Sequence, residues 1–196
     1  MLKSVSANTP LIAIVGWKNS GKTTLTVRLV EEFTKRGVRV ATVKHAHHVV
    51  RLDDDDTDSA RHRAAGAREV AIVSRHRWGV IGELRGSPEP DLEDIIAKLS
   101  PCDLIIVEGY KWKPIPKIEA RRRDCLRDKP IADTDMMVFA IAADHMIESD
   151  HRPWFDLDDI PAIADFIEET VGPVERNANR GRDDTDRPVE KLRRRV

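Results

Sequence analysis

Residues 16–23 read Gly-Trp-Lys-Asn-Ser-Gly-Lys-Thr, the spacing found in phosphate-binding loops. Glycines at both ends of such a loop let successive backbone N–H groups point into one concavity that accepts phosphate oxygens. Lys22 is placed to reach the β- and γ-phosphates, and the hydroxyl of Thr23 is a suitable ligand for Mg²⁺. The loop therefore predicts a site for a nucleoside triphosphate with Mg²⁺. By itself it does not distinguish phosphate transfer to a substrate from hydrolysis.

A second residue with suitable chemistry is Glu108, which ends the apolar run Asp-Leu-Ile-Ile-Val. Ligands of open α/β sheets bind beyond the carboxyl ends of the strands, so a carboxylate at this position can hold Mg²⁺ or orient water. Gly109 would let the backbone come close to a γ-phosphate. We therefore predict Lys22 and Glu108 as catalytic residues, and Thr23 and Glu108 as metal ligands.

A polar segment rich in His and Asp follows the second predicted strand. It carries Lys44, His45, His47 and His48. Imidazoles are ligands of transition metals, but strand alternation places only His45 and His47 on the same side. The alternative is a polar, switch-like loop that contacts nucleotide or a partner, and both interpretations stay open. The run Asp53–Asp56 is predicted to be solvated, with the alternative that one of its carboxylates joins the ligands of Mg²⁺.

The apolar pattern that must position these residues alternates between strands and helices. Continuous apolar or β-branched runs predict strands at Leu11–Val15, Val38–Val43, Glu69–Ser74, Trp78–Leu84, Asp103–Val107 and Met137–Ala142. Helical spacing predicts helices at Lys22–Arg36, Asp91–Leu99 and Asp159–Val171. Alternation of this kind predicts a three-layer α/β fold with a mostly parallel sheet, here a P-loop NTPase fold. The first two strands, joined through the first helix, are expected to be parallel.

The chain is expected to divide into three parts. Residues 1–10 form an N-terminal extension and residues 11–172 a nucleotide-binding domain. Residues 173–196 are rich in Arg, Asp, Glu and Asn, with almost no large apolar side chains, so we predict a disordered, charged tail.

Composition narrows the functional classes. The formal net charge is −1 and charged residues make up 34 % of the chain, so nothing global indicates a nucleic-acid partner or an anionic membrane surface. No apolar run reaches about 18 residues, the length of a membrane span, and we expect a cytoplasmic protein. The two cysteines, Cys102 and Cys125, form no CxxC pattern and are expected to be reduced thiols.

Several motifs occur together in an order that resembles the MobB family. They are GWKNSGKTTL, KHAHH, the stretch from Asp58 to Ala67, LIIVEGYK and PKIEARR, and the resemblance covers roughly residues 10–145. MobB proteins are P-loop adaptors in molybdenum-cofactor guanine dinucleotide synthesis. The resemblance therefore implies a GTP- and Mg²⁺-binding homodimer with weak hydrolysis. It also implies a partner enzyme, the guanylyltransferase that attaches GMP to molybdopterin.

The same resemblance assigns site residues by position. Those expected to hold GTP and Mg²⁺, or to face the nucleotide or partner, are Gly16, Asn19, Ser20, Gly21, Lys22, Thr23, Thr24, Lys44, His45, His47 and Glu108. Asp58 and Ser59 match the Asp-Ser pair of the family. The chain departs from the family just before that pair, where Asp55-Asp56-Thr57 replaces Pro-Gly-Lys, so a tight turn and a positive charge are lost.

Two further features are the residue that recognises the base and the arginines that follow the PKIE motif. Asp144 follows the last predicted strand and either accepts hydrogen bonds from guanine or is an ordinary loop aspartate; no Asn-Lys-x-Asp motif is present. Arg121–Arg123 form either a solvated surface turn or an anion site.

Two other functions of the protein stay open: a small-molecule P-loop kinase, and a metal-insertion GTPase that uses the histidines.

Overall fold

The computed structural model describes residues 9–46, 53–54, 56–125, 129–147 and 150–176. The chain forms two compact units: the first comprises residues 1–45 and 99–196, and the second comprises residues 46–98. In chain order the strands are β1 (Leu11–Val15), β2 (Val40–Lys44), β3 (Glu69–Val73), β4 (Trp78–Gly82), β5 (Leu104–Glu108), β6 (Lys117–Arg121), β7 (Val138–Ala143) and β8 (Trp154–Asp156). The helices are α1 (Lys22–Lys35), α2 (Asp58–Ala64), α3 (Leu92–Ile96) and α4 (Ile160–Val171).

The first unit is built on a six-stranded sheet in the order β2-β5-β1-β6-β7-β8. Every pairing in this sheet is parallel. The predicted α/β fold with a mostly parallel sheet is confirmed, and β1 and β2 are parallel as expected, with β5 between them. Because all six strands run the same way, the residues that end β1, β2 and β5 lie at one edge of the sheet, beside the phosphate loop.

Helices α1 and α4 pack together against one face of this sheet. Leu25, Leu29 and Phe33 of α1 are fully or almost fully buried there, with Ile163 and Ile167 of α4. Their spacing of three or four residues is the periodicity that predicted both helices. This packing anchors α1, whose first residue is Lys22 of the phosphate loop.

The second unit contains α2, the antiparallel hairpin β3–β4 and α3. Both strands of the hairpin were predicted. Helix α3 is shorter than the predicted Asp91–Leu99, although its Asp91–Asp94 capping box forms as the start of a helix requires. Ser100 precedes Pro101, a position at which helical backbone is disfavoured, and Leu92 is the buried residue of the helix.

Three elements were not predicted: α2, β6 and β8. Strand β6 reads Lys-Ile-Glu-Ala-Arg, and all five of its residues are buried. It was not predicted because its charged residues do not fit the apolar pattern of a buried strand. Lys117 is 1 % exposed, and its ammonium lies 2.8 Å from the carboxylate of Asp135. Pairing of this kind is what lets charged side chains occupy an interior.

Other expectations are tested only in part. Residues 1–8 and 177–196 lie outside the described ranges, and with them most of the predicted extension and tail. Cys102 and Cys125 are both free thiols, as predicted. In the part of the chain that the structure describes, no helix has the length and apolar character needed to cross a membrane.

Candidate functional site

The phosphate loop connects the buried end of β1 to α1, as its sequence predicts. Gly16 has φ 150°, and a Cβ built on it would lie 2.3 Å from Ser20 Oγ and 2.5 Å from the carbonyl oxygen of Ala120. Gly21 has φ 91° and caps α1 in the left-handed conformation. A larger residue at Gly16 would therefore clash with the loop and with β6, while Gly21 requires a backbone conformation that other residues adopt at a cost.

The middle of the loop shows two further features. Asn19 adopts a left-handed backbone with φ 65°, a conformation that asparagine tolerates better than most residues. Ser20 is 2 % exposed, and its hydroxyl finds no hydrogen-bond partner among the described residues. Buried hydroxyls are normally satisfied, so this one is free to bond a ligand or water. Thr24, the last predicted residue of the loop, is exposed at the start of α1.

Lys22 folds back into the loop. Its ammonium donates a hydrogen bond of 2.6 Å to the carbonyl oxygen of Trp17. Burial lowers the pKa of Lys22, and the positive charge of Lys111 lowers it further. Phosphate oxygens would relieve both effects, because they supply negative charge and hydrogen-bond acceptors in place of water.

Thr23 and Glu108, the two residues predicted as metal ligands, lie in contact. The hydroxyl of Thr23 donates a hydrogen bond of 2.7 Å to Oε1 of Glu108, which is 8 % exposed at the end of β5. β5 lies beside β1, with Glu108 opposite Ile14, so the register of the sheet places this carboxylate next to the loop. A hydroxyl and a carboxylate this close are the hard oxygen ligands that Mg²⁺ prefers. The residues therefore fit the ion.

Lys44, the last residue of β2, lies at the same place. Its ammonium is 3.1 Å from Glu108 Oε1 and 3.5 Å from the hydroxyl of Thr23. The register of β2 with β5 pairs Lys44 directly with Glu108. The structure therefore brings Lys44 to the two candidate metal ligands, and whether it faces a nucleotide or a partner stays a prediction.

His45 packs against aromatic rings. Its ring centroid lies 4.7 Å from that of Tyr110 and 4.8 Å from that of Trp112. His47 and His48 lie outside the described residues, so the structure does not test the prediction that His45 and His47 lie on the same side. Among the residues that are described, no group of three or more His, Cys, Asp or Glu side chains could hold a metal ion.

A contact set around Trp17 was not predicted from the sequence. The indole nitrogen donates a hydrogen bond of 2.8 Å to the carbonyl oxygen of Lys129, and the ammonium of Lys111 lies 3.7 Å from the ring centroid. A cation over the face of Trp is attracted by the ring quadrupole. Trp17 and Lys111 both belong to motifs used for the family resemblance. The positive charge of Lys111, which lies next to the loop, is the signal that could have identified this residue.

The three arginines after β6 do not behave alike. Arg121 is 9 % exposed and pairs with Glu119 at 2.8 Å, so the solvated-turn alternative is wrong for this residue. Arg122 lies over the loop, with its Nε 2.9 Å from where a Cβ on Gly21 would be. Arg123 is exposed. The sequence did not separate these cases because β6 was not recognised as a strand.

Asp144 lies directly after β7, at the same edge of the sheet. Its Oδ1 accepts hydrogen bonds of 2.9 Å from the backbone N–H of Arg123 and from Nδ1 of His145. Partial burial opposes ionisation of Asp144, but the hydrogen bonds from His145 and Arg123 outweigh it and lower the pKa of the carboxyl group. Asp144 is thus an ionised acceptor at neutral pH.

In the second unit, Thr57 begins a helix. It is the N-cap of α2, and its hydroxyl accepts a hydrogen bond of 3.2 Å from the backbone N–H of Ala60. Asp58 is exposed and Ser59 donates to the carboxylate of Asp53. Asp53 also pairs with Arg63 at 3.1 Å, so the prediction that it is mostly solvated is wrong.

Comparisons with known proteins agree with this geometry. Residues 11–144 match the family model described as molybdopterin guanine dinucleotide synthesis protein B, MobB. The molybdopterin-guanine dinucleotide biosynthesis adapter protein of Haemophilus influenzae is 39 % identical over 81 % of this chain and 88 % of its own. The Escherichia coli protein of the same name is 34 % identical over 82 % of this chain and 92 % of its own.

Solved structures show the same fold. The MobB protein homolog from Bacillus stearothermophilus is 26 % identical and aligns with a TM-score of 0.60 over 81 % of this chain and 98 % of its own. A crystal structure of molybdopterin-guanine biosynthesis protein B is 28 % identical, with a TM-score of 0.63 over 82 % of this chain and 99 % of its own. On the phosphate loop, the order of its motifs and these matches, the chain belongs to the MobB family.

Proposed function

We propose that this protein is a GTP-binding adaptor, with weak GTPase activity, that assists the attachment of GMP to molybdopterin in the synthesis of the molybdenum cofactor. The observation that carries the nucleotide part is the hydrogen bond between Thr23 and Glu108 at the end of the phosphate loop, in which the ammonium of Lys22 is bonded to the carbonyl oxygen of Trp17. The adaptor role is supported by relatives that are named adapter proteins of molybdopterin-guanine dinucleotide biosynthesis.

In this proposal each part of the site has one task. Lys22 and the loop backbone bind the β- and γ-phosphates, and Thr23 and Glu108 hold Mg²⁺. When bound, Mg²⁺ would neutralise charge on the phosphates. Asp144 accepts hydrogen bonds from the N–H groups of guanine, which adenine cannot supply in the same pattern. Its lowered pKa keeps it an acceptor.

Isothermal titration with GTP, GDP and ATP in the presence of Mg²⁺ tests nucleotide binding. We expect GTP to bind and ATP to bind much more weakly. The variant Lys22→Ala should lose GTP binding, because the remaining loop has no side-chain cation of its own at the β/γ position. Lys35→Ala, which removes an exposed lysine at the C-terminal end of α1, is the matched control. Preference for ATP with rapid transfer of phosphate to a metabolite would favour the kinase alternative.

The adaptor role needs a partner enzyme. Tagged protein loaded with GTP should capture a nucleotidyltransferase that joins GMP to molybdopterin, and addition of the protein should raise the yield of the dinucleotide cofactor. Capture of a kinase substrate or of a nickel enzyme, without this effect on yield, would contradict the assignment.

The hairpin of the second unit supports a homodimer. One of its faces carries Val73, Trp78 and Val80, which are 77 %, 65 % and 54 % exposed. Val73 and Trp78 are direct cross-strand partners, so the apolar surface is continuous. Two-stranded hairpins are marginal alone, and an exposed apolar face of this kind marks an interface. We propose that a second copy of the chain covers it.

Light scattering after gel filtration tests the dimer. The wild-type protein should have twice the mass of one chain, and the double variant Val73→Thr/Trp78→Thr should shift toward the monomer. Met136→Thr, which removes an apolar side chain that is 83 % exposed in the first unit, is the control. A monomeric wild-type protein, or a double variant that stays dimeric, would contradict the proposed interface.

A further inference from the structure

The ammonium of Lys44 lies where the metal ligands meet. It is 3.1 Å from Glu108 Oε1 and 3.5 Å from the hydroxyl of Thr23, while that hydroxyl is itself 2.7 Å from the same carboxylate oxygen. The ammonium of Lys44 therefore already lies beside both oxygens that are assigned to Mg²⁺. Lys22 donates its hydrogen bond to the carbonyl oxygen of Trp17 and interacts with Glu108 and Lys44 through the electrostatic field of their charges.

This position has an electrostatic reason. The side chain of Glu108 is only 11 % exposed, and a buried carboxylate without a counter-charge is costly. Lys44 supplies that counter-charge. Mg²⁺ at the same two oxygens would stand within contact distance of the ammonium, and like charges so close repel each other. The metal and the ammonium are therefore competing occupants of one position.

We propose that Lys44 is an internal counter-ion that occupies the Mg²⁺ position in the nucleotide-free protein and moves onto the γ-phosphate when Mg²⁺ and nucleotide bind. The second half of this inference rests on the proposed function. When bound, Mg²⁺ would be held by Thr23 and Glu108 and would neutralise charge on the phosphates, and the ammonium of Lys44, displaced from Glu108, would then be available to the γ-phosphate. Its contact would then favour GTP over GDP.

The side chain of Lys44 can make this movement. It is 58 % exposed, whereas its partner Glu108 is held at the end of a buried strand. The lysine stem is long and flexible, with a compact charge that can be redirected without moving β2. The carboxylate stays in place and exchanges one cation for another.

Titration with Mn²⁺ in the absence of nucleotide tests the first half, with free Mn²⁺ followed by electron paramagnetic resonance. Lys44→Met keeps the length of the side chain and removes its charge. We expect it to bind Mn²⁺ about threefold more tightly than the wild type, the effect of one screened charge contact. Lys35→Met, which removes a charge that is 74 % exposed at the C-terminal end of α1, should match the wild type, and Glu108→Gln defines the background without a site. Equal binding by wild type and Lys44→Met, including the case in which neither exceeds that background, overturns the proposal.

The second half is tested by the ratio of affinities for a non-hydrolysable GTP analogue and for GDP, both with Mg²⁺. Lys44→Met should lower this ratio, and Lys35→Met should leave it unchanged. An unchanged ratio in Lys44→Met refutes the contact with the γ-phosphate. If the wild type binds neither nucleotide, the proposed function fails, and the Mn²⁺ titration still decides whether Lys44 competes for the metal position.

Discussion

Glu119 offers the sharpest test of how the nucleotide edge is held together. It is 1 % exposed in β6, and its carboxylate accepts hydrogen bonds of 2.9 Å and 3.0 Å from the backbone N–H groups of Ile131 and Ala132. It also pairs with Arg121 at 2.8 Å. The segment it anchors follows Lys129, whose carbonyl oxygen receives the indole N–H of Trp17 in the phosphate loop. The perturbation we consider is Glu119→Gln, which keeps the shape of the side chain.

The expected cost follows from these contacts. In Glu119→Gln one carboxylate oxygen becomes an NH₂ group, so a buried backbone N–H or the guanidinium of Arg121 loses its acceptor and faces a donor. An unsatisfied buried group costs about 1–3 kcal/mol, and removing one partner of a buried ion pair costs about 3–5 kcal/mol. The carboxylate of Asp150, 3.8 Å from Arg121, offsets part of the charge. We therefore expect a loss of about 3 kcal/mol in the free energy of unfolding, within these ranges.

Urea unfolding followed by circular dichroism measures this loss, and thermal unfolding should show a melting temperature lower by about 6–12 °C for a chain of this size. Glu169→Gln makes the same chemical change at an exposed position of α4 and is the control. The opposite result is a free energy of unfolding for Glu119→Gln within about 0.5 kcal/mol of the wild-type value, as found for surface substitutions. That result would show that the hydrogen bonds from Ile131 and Ala132 to Glu119 do not stabilise the fold.

Three further predictions concern the loop, the acid limit of stability and the base. Gly16→Ala should abolish GTP binding with the circular dichroism spectrum retained, because its Cβ would meet two oxygens at 2.3 and 2.5 Å; Gly82→Ala, where the nearest atom is 4.0 Å away, should bind normally. The hydrogen bond from Arg39 lowers the pKa of Asp103 below its ordinary 3.8, so its stabilisation is complete above that pH and lost as the pH falls through the lower folded value. The stability gap between wild type and Asp103→Asn, measured by urea unfolding, should close over that range. Asp144→Asn should weaken binding of GTP in calorimetry and leave ATP unaffected; equal losses would show that it does not contact the base.

Local sequence was sufficient wherever a residue's role depends on its neighbours in the chain. The loop between Gly16 and Thr23 is a compact chain segment that follows an apolar strand, and its conformation follows from its glycines. The two helices that pack on the sheet were predicted because their apolar faces repeat every three or four residues. Glu108 was found because it ends an apolar strand.

Prediction from the apolar pattern failed for a strand that contains charged residues. In β6 the side chains of Lys117, Glu119 and Arg121 are buried, yet by composition they look solvated. Their partners Asp135 and Asp150 come from later in the chain, so no local pattern reports the pairing. The hydrophobic criterion failed here because it assumes that burial and charge exclude each other, which is untrue where charges are paired.

The sequence by itself determined the phosphate loop and the parallel α/β architecture, because short-range spacing and apolar periodicity encode them, and the order of its motifs carried the resemblance to the MobB family. Only the tertiary structure decided which cations surround the site. The sheet order β2-β5-β1 brings Lys44 to Glu108 across 64 residues of chain and places Thr23 beside the same carboxylate. Electrostatic energy depends on distances in space, and these distances are created by strand pairing that the linear order of residues does not show.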